Sequence, residues 1–366
     1  MKKSVFQCSF GDGYAGSARM ALYGCTQLAM RDYDVALLAS VGSLTAERAL
    51  KEGITTTTID TTRPLNEVIA SVGAAFEKHR PRFFISYHSL DRKVGRALRG
   101  RYGRSFFNIA DRQNLSRTVP IIGSLLYNIY FDYLIACSDG VARSLYRSGI
   151  LKRKVQVIRN AIAIPNDIES INGTNIRRKL GIDAKIVLGL SAWFHKERKG
   201  FDILFEAVSK LDERYILLII GIPASDQPKV VAYAAEFGLP ATRLVMPGFL
   251  ENVWEFYKAM DMFLLPSRSE GFSLALLEAA AARVPSIASD IPGTNEFIRH
   301  NQTGLLFDVK QPHQLTEAIL RFSTDTALAK RSAEAAHDSV FGQYTVDRYG
   351  EKLAHFLDRI SDTSKE

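Results

Sequence analysis

Short runs of Val, Ile, Leu and Phe recur along the chain between stretches of helical periodicity. KSVFQCSF, VALLAS, RFFISYH, SFFNIA, DYLIACS and KVQVIRN are each too short for a helix, and most are followed by amphipathic segments. This alternation is the pattern of βαβ units: strands covered by helices on both faces read as continuous apolar runs. The rhythm restarts at KIVLGLSA, Lys185 to Ala192, and continues through YILLIIGI, RLVMPGF, MFLLPS, PSIASD and LLFDV. Between the two series lies AIAIPNDIESINGTN, Ala161 to Asn175, which has proline, glycine and no long periodic run, as a linker does. After LLFDV only helical patterns remain, through Leu357. The expected fold class is α/β, with two doubly wound Rossmann-like domains over 1–165 and 166–345 and a C-terminal helix, 346–366, packing back on the first. Ligands of such sheets bind beyond the carboxyl ends of the strands, so two facing domains place the expected site in a central cleft.

The length of 366 residues agrees with two cores. With 46% hydrophobic and 23% charged residues, disordered and fibrous classes are excluded. Cys8, Cys25 and Cys137 lie far apart without metal-ligand spacing, which points to a reducing cytoplasm. The start, MKKSVFQCSFGDG, lacks the apolar core of a signal peptide. The longest apolar stretch, PIIGSLLYNIYFDYLIACS, is broken by Asn128 and Asp132 and is expected to be a buried helix running into a strand, not a membrane span. Charge changes the picture more. The net charge is +8, but Arg80 to Arg159 holds 16 Lys or Arg against 4 Asp or Glu, or +12. Such a surface attracts polyanions: nucleic acid, anionic lipid or phosphorylated substrates. A solvated face without a specific partner is the alternative.

The candidate chemistry centres on SEGFSLALLEAA, Ser269 to Ala280, which follows the strand MFLLPS. Ser273 is the expected N-cap of a helix ending before Pro285. The amides of Gly271, Phe272, Ser273 and Leu274 then point out of the helix start, where the dipole favours an anion. Glu270 and Glu278 bracket that start. Carboxylates are poor phosphate ligands but good acceptors for hydroxyls on either side of a phosphate, as a sugar and a ribose would offer.

The segment Gly189 to Phe307 resembles the retaining nucleotide-sugar glycosyltransferases of the GT-B fold, specifically glycosyltransferase family 4. The E-x7-E pattern Glu270 to Glu278 is flanked in order by GFLENVWEFYKAMDMFLLPS, VPSIASDIPGTNEFI and NQTGLLFD. The resemblance implies that Glu270 binds donor-sugar hydroxyls, that Glu278 binds the ribose, and that the amides from Gly271 to Leu274 hold the diphosphate or the sugar's edge. In SAWFHKERKGFDILFEAVSKL the family's Lys-Gly pair is Lys199-Gly200, and Phe194 stands where an arginine is usual; Arg198 or Lys196 would supply the second cation for the leaving diphosphate. In SFGDGYAGSARMALYGCTQLA, Gly16 takes the place of the second glycine of the family's phosphate turn, Ala15 replaces the first, and Gly11 and Gly13 could share the role. His88 aligns with a histidine often found after a first-domain strand. The histidine that the family carries after the next strand is missing from FFNIADRQNLSR. Ala110 or Arg112, depending on register, stands there with Asp111 beside it.

The function implied is retaining transfer of a hexose-type sugar from a UDP- or GDP-sugar to a hydroxyl of a glycan or lipid-linked acceptor, in bacterial cell-surface polysaccharide or lipopolysaccharide synthesis. No cofactor and no metal are expected: Asp32-Tyr33-Asp34 matches D-x-D by letters but precedes a strand as a turn. The basic segment DRKVGRALRGRYGR puts Val94, Ala97 and Leu98 at helical spacing with Arg92, Arg96, Arg99, Arg101 and Arg104 on other faces. That surface fits peripheral contact of a cytoplasmic enzyme with the anionic inner face of the membrane, at about 1 kcal/mol per basic residue. The competing readings are an epimerase or phosphorylase of the same fold, and a nucleic-acid binder, for which no recognition module is present.

Overall fold

A computed structural model describes residues 3–11, 16–114, 121–250 and 252–362. The chain forms two units, Met1–Ala161 with Val346–Glu366, and Ile162–Thr345. Each is built on a parallel sheet.

The first unit's strands are β1 (Ser4–Ser9), β2 (Asp34–Ser40), β3 (Thr56–Ile59), β4 (Phe83–Ser86), β5 (Phe107–Arg112), β6 (Tyr133–Ala136) and β7 (Val155–Val157), in the order β3-β2-β1-β4-β5-β6-β7. β4 is buried throughout and β1 nearly so, which is why their sequences do not alternate. The helix Val346–Asp362 packs on the helix Gly16–Ala29. Its Asp358 accepts a 2.6 Å hydrogen bond from the Tyr33 hydroxyl and pairs with Lys3 at 2.7 Å. Tyr33 is thus a packing residue between Asp32, at φ 63, and Asp34, which opens β2.

Three local expectations change. β5 runs through Arg112, with Asp111 and Arg112 in register with Ile135 and Ala136 of β6, so Ala110, Asp111 and Arg112 are strand residues and not loop. In the helix Ser89–Tyr102, Arg99 turns inward and pairs with Asp132 on the segment before β6. The helix Ile121–Tyr130 leads into β6 as expected, but it is not buried: Leu125 and Ile129, one turn apart, are 58% and 59% exposed. The helix is anchored by polar groups instead, with Ser124 buried and Asn128 donating to the Gly149 carbonyl at 2.9 Å.

The second unit's strands are β8 (Ile186–Ser191), β9 (Tyr215–Ile220), β10 (Leu244–Gly248), β11 (Met262–Leu265), β12 (Ser286–Ser289) and β13 (Leu305–Phe307), ordered β10-β9-β8-β11-β12-β13. Phe201, Phe205, Leu217, Leu264, Phe307 and Phe322 belong to its core. In each sheet the strand order reverses beside the first strand, between β1 and β4 and between β8 and β11. Loops leaving the carboxyl ends diverge at such a reversal and open a crevice for ligands.

Candidate active site

In the second unit the loop after β8 carries Lys196, Arg198, Lys199 and Gly200, and the loop after β11 carries Glu270 to Ser273. Gly200 has φ +66°, and a Cβ there would lie 2.0 Å from the Pro266 carbonyl oxygen. Only glycine allows the two loops to close so tightly. The Arg268 amide donates to the Arg198 carbonyl at 2.9 Å. The Arg268 guanidinium holds both oxygens of Asp202 at 2.7 and 2.5 Å and donates to the Glu197 carbonyl at 2.9 Å. Burial alone would raise the Asp202 carboxyl, but the bonds and charge of Arg268 outweigh it and hold it below the usual range. Sequence reasoning missed this clamp; an arginine in a strand-end loop opposite an aspartate in the first turn of the facing helix was its signal.

So closed, the loops bring Lys199 Nζ to 2.7 Å from Glu270 Oε1, with the side chains 19% and 8% exposed. Lys196 lies over the Tyr233 ring, its Nζ 4.0 Å from the centroid, whereas Arg198 is exposed beside Lys199. Ser273 caps the helix Leu274–Ala281, its Oγ accepting from the Leu276 amide at 3.3 Å. Leu274, Leu276 and Leu277 are buried and seat this helix, and the Phe272 ring packs 5.3 Å from that of Tyr344. The peptide from Gly271 to Leu274 therefore enters a fixed helix start. Glu278 is 4% exposed, and its Oε2 accepts from the Tyr257 hydroxyl at 2.9 Å. The structure thus gathers Lys199, Glu270, the helix start and Glu278 in one unit, where burial of two carboxylates within an apolar helix region calls for hydrogen-bond donors.

In the first unit, Ser9 ends β1 and His88 follows β4, with Ser9 Oγ 3.2 Å from His88 Nε2. A Cβ at Gly11 would come 2.7 Å from the imidazole, so this glycine admits the ring. Asp91 is fully buried and accepts from the amides of Phe10, Tyr87 and His88 at 3.0, 3.0 and 2.7 Å, which ties the two strand ends together. Gly16 opens the helix Gly16–Ala29; Gly13 and Ala15 lie outside the described residues.

Asp111 and Arg112 end β5. Asp111 is 1% exposed; its Oδ1 accepts from Gln113 at 2.5 Å, and its Oδ2 has no hydrogen-bond partner among the described residues. Burial pushes its carboxyl up to about 7, against the opposing effects of Gln113, Arg92 and Arg112. Arg112 Nη1 donates to the Tyr127 hydroxyl at 2.5 Å, and Ala110 is fully buried.

Residues 173–339 match the family model described as glycosyl transferases group 1. The lipopolysaccharide core biosynthesis glycosyltransferase LpsE of Rhizobium meliloti is 26% identical over 227 residues, 61% of this chain and 64% of that protein. The O-antigen biosynthesis glycosyltransferase WclY of Escherichia coli is 30% identical over 202 residues, 54% of this chain and 55% of that protein. The chain thus spans less than two thirds of the length of these curated relatives. Among solved structures, that of Anabaena HepE in complex with UDP-glucose superposes with a TM-score of 0.85 at 17% identity, covering 98% of this chain and all of that one. The fold is that of the GT-B glycosyltransferases, and residues 173–339 are similar to the glycosyl transferases group 1.

Proposed function

We propose that the chain is a retaining glycosyltransferase that moves a hexose from a nucleoside-diphosphate sugar to a hydroxyl of a glycan or lipid-linked acceptor. The observation that carries this reading is the buried Lys199–Glu270 pair at the start of the Ser273-capped helix, one turn from buried Glu278. In the proposed complex Glu270 accepts from sugar hydroxyls and Glu278 from the ribose, while the diphosphate meets the amides of Gly271 to Leu274. In the reaction the bond from the anomeric carbon to the phosphate oxygen breaks. The bond to the acceptor oxygen forms on the same face, and the acceptor's proton passes to the leaving phosphate. Negative charge grows on that phosphate, so Lys199 and Arg198 assist most in the transition state. These cations and the helix start supply the neutralisation, and the reading calls for no metal ligand. The names of LpsE and WclY favour a cell-surface polysaccharide or lipopolysaccharide product, and HepE's complex favours a UDP-linked donor.

The acceptor is assigned to the first unit, and membrane contact to its cytoplasmic-leaflet side. No helix among the described residues is long and apolar enough to cross a membrane. Exposed Leu125 and Ile129 instead form an apolar stripe beside the basic turn Lys152–Lys154, whose Lys154 Nζ donates to the Phe131 carbonyl at 2.7 Å. Apolar side chains next to lysines suit an anionic interface.

Calorimetric titration with UDP- and GDP-sugars tests the donor assignment, and failure of every one to bind at millimolar concentration overturns it. Conversion of donor without acceptor would indicate an epimerase, and a requirement for inorganic phosphate a phosphorylase. Co-sedimentation with anionic liposomes at low salt, lost on Leu125→Asp with Ile129→Asp, tests the membrane contact.

A further inference from the structure

In the second unit the loop after β12 buttresses the loop that carries Glu270. Its Gly293 is buried, with φ +93°, and a Cβ there would lie 2.3 Å from the Gly271 carbonyl oxygen and 2.9 Å from that of Glu270. No side chain fits against two backbone oxygens at that range, and the positive φ disfavours one as well. The buttress is itself pinned. The Thr294 hydroxyl is fully buried and shared between the carbonyls of Ser289 and Ile291, and the Asp290 amide donates to the Phe307 carbonyl of β13 at 2.8 Å. The Ser289 hydroxyl donates to the Ser267 carbonyl at 2.5 Å, which ties the end of β12 to the start of the Glu270 loop. Across a trans peptide the C=O and the N–H point in opposite directions. The Gly271 amide shares its peptide with the Glu270 carbonyl, which faces Gly293, so the amide faces away from the buttress. Gly271 is buried, and among the described residues its amide has no hydrogen-bond acceptor. A buried amide in that state is rare and calls for an acceptor. The residue before it is Glu270, whose carboxylate meets Lys199 at 2.7 Å.

We infer that Gly293 is a positioning residue for the donor sugar: its bare Cα admits the carbonyls of Glu270 and Gly271, and so turns the Gly271 amide toward the sugar that Glu270 holds. A sugar hydroxyl both donates and accepts, and Glu270 and the Gly271 amide supply an acceptor and a donor from adjacent residues. The word sugar rests on the glycosyl-transfer reading. It also divides the run of amides there: Gly271 serves the sugar, and those closer to the helix serve the diphosphate.

The test is calorimetric titration of the full chain with UDP-glucose or GDP-mannose, whichever the wild-type chain binds, and with the matching UDP or GDP. Gly293→Ala should weaken binding of the nucleotide sugar tenfold or more and leave the nucleotide alone within twofold. Gly304→Ala brings a Cβ to 2.6 Å from the Ser286 carbonyl, at the opposite end of β12, and should change both affinities equally or not at all. A Gly293→Ala loss shared equally by the nucleotide would mean general damage and overturn the proposal, as would unchanged affinity for both, or the same selective loss in Gly304→Ala. Where Gly293→Ala does not fold, Thr294→Val loosens the same loop without adding bulk at Gly293. A several-fold loss for the nucleotide sugar alone is then expected, and its absence overturns the proposal. In the wild-type chain the nucleotide sugar should slow hydrogen exchange at the Gly271 amide and the nucleotide alone should not; equal protection overturns the assignment to the sugar. If neither nucleotide sugar binds the wild-type chain, the donor reading falls and takes the proposal with it; if one binds and the loss is unselective, the proposal falls alone.

Discussion

Both sheets reverse strand order beside their first strand, yet they present different chemistry there. In the second unit the groups stand on two loops locked by Gly200 against Pro266 and by Arg268 on Asp202, and the Lys199–Glu270 ion pair forms across them. In the first unit the groups are fixed by backbone amides and strand register: Asp91 ties β1 to the turn after β4, and Asp111 and Arg112 belong to β5 itself. A loop-borne ion pair is suited to charge that appears and moves during a reaction. Strand-borne groups are suited to holding a ligand in one place.

That contrast is most exposed to test through pH, because the first unit holds a carboxyl whose folded pKa is raised. Asp111 goes from an ordinary 3.8 to about 7, so the folded state keeps its proton through a range in which the unfolded chain has lost it. Stability is then lost as pH rises from about 4 to about 7 and is flat above, by at most about 4 kcal/mol. Chemical denaturation between pH 5 and 8 should show Asp111→Asn gaining on the wild-type chain across this window. A constant difference between the two would show that Asp111 is not a buried, protonated group.

On the other side of the comparison, Lys199→Ala should lower kcat by about 10²- to 10³-fold, the size of losing one preorganised charge at a developing anion. Initial rates of UDP release with a bound donor measure it. The variant also strands Glu270 at 7% exposure, so some thermal stability should be lost with the rate. A fall in stability with kcat intact would reduce the pair to a structural tie.

The two regions also differ in how far they could be read in advance. The strands, the two units and the Ser273 cap follow from apolar run length, linker composition and N-cap chemistry, all of which act locally. Glu270 and Glu278 stood out in the sequence as carboxylates bracketing a helix start, and Lys199 through the resemblance's Lys-Gly pair. The inward turn of Arg99 and the place of Asp111 within a strand were not legible, because an inward-facing arginine is explained only by Asp132, 33 residues on, and a strand's extent is set by register with its neighbour. The exposure of Leu125 and Ile129 was likewise invisible, since apolar periodicity does not say whether a helix has a partner.

The loop lock is tested by two glycines with the same φ of +66°. Gly181 ends the helix Thr174–Leu180 in open space, so Gly181→Ala should cost about 1 kcal/mol of left-handed strain. Gly200→Ala adds a collision with the Pro266 carbonyl and should cost about 1–3 kcal/mol more. It should also lower kcat by moving Lys199. Equal effects on the melting temperature would mean that the two loops are not held by this contact.

The smallest difference concerns two buried carboxyls, each beside a tyrosine-bearing element. Glu278 receives a hydroxyl from Tyr257 at 2.9 Å, whereas one oxygen of Asp111 has no hydrogen-bond partner among the described residues. A carboxyl already oriented by a donor can accept further hydroxyls, whereas the Asp111 carboxyl, pushed toward protonation by burial, is a weaker acceptor. The proposed ribose role of Glu278 predicts that Glu278→Ala weakens UDP binding by about 1.5–3 kcal/mol, as for a hydrogen bond to a charged group. Tyr257→Phe removes only the supporting donor and should weaken it by about 0.5–1.5 kcal/mol. Calorimetry resolves both. If Tyr257→Phe costs more than Glu278→Ala, the tyrosine and not the glutamate faces the nucleotide, and the distinction between the two carboxyls fails.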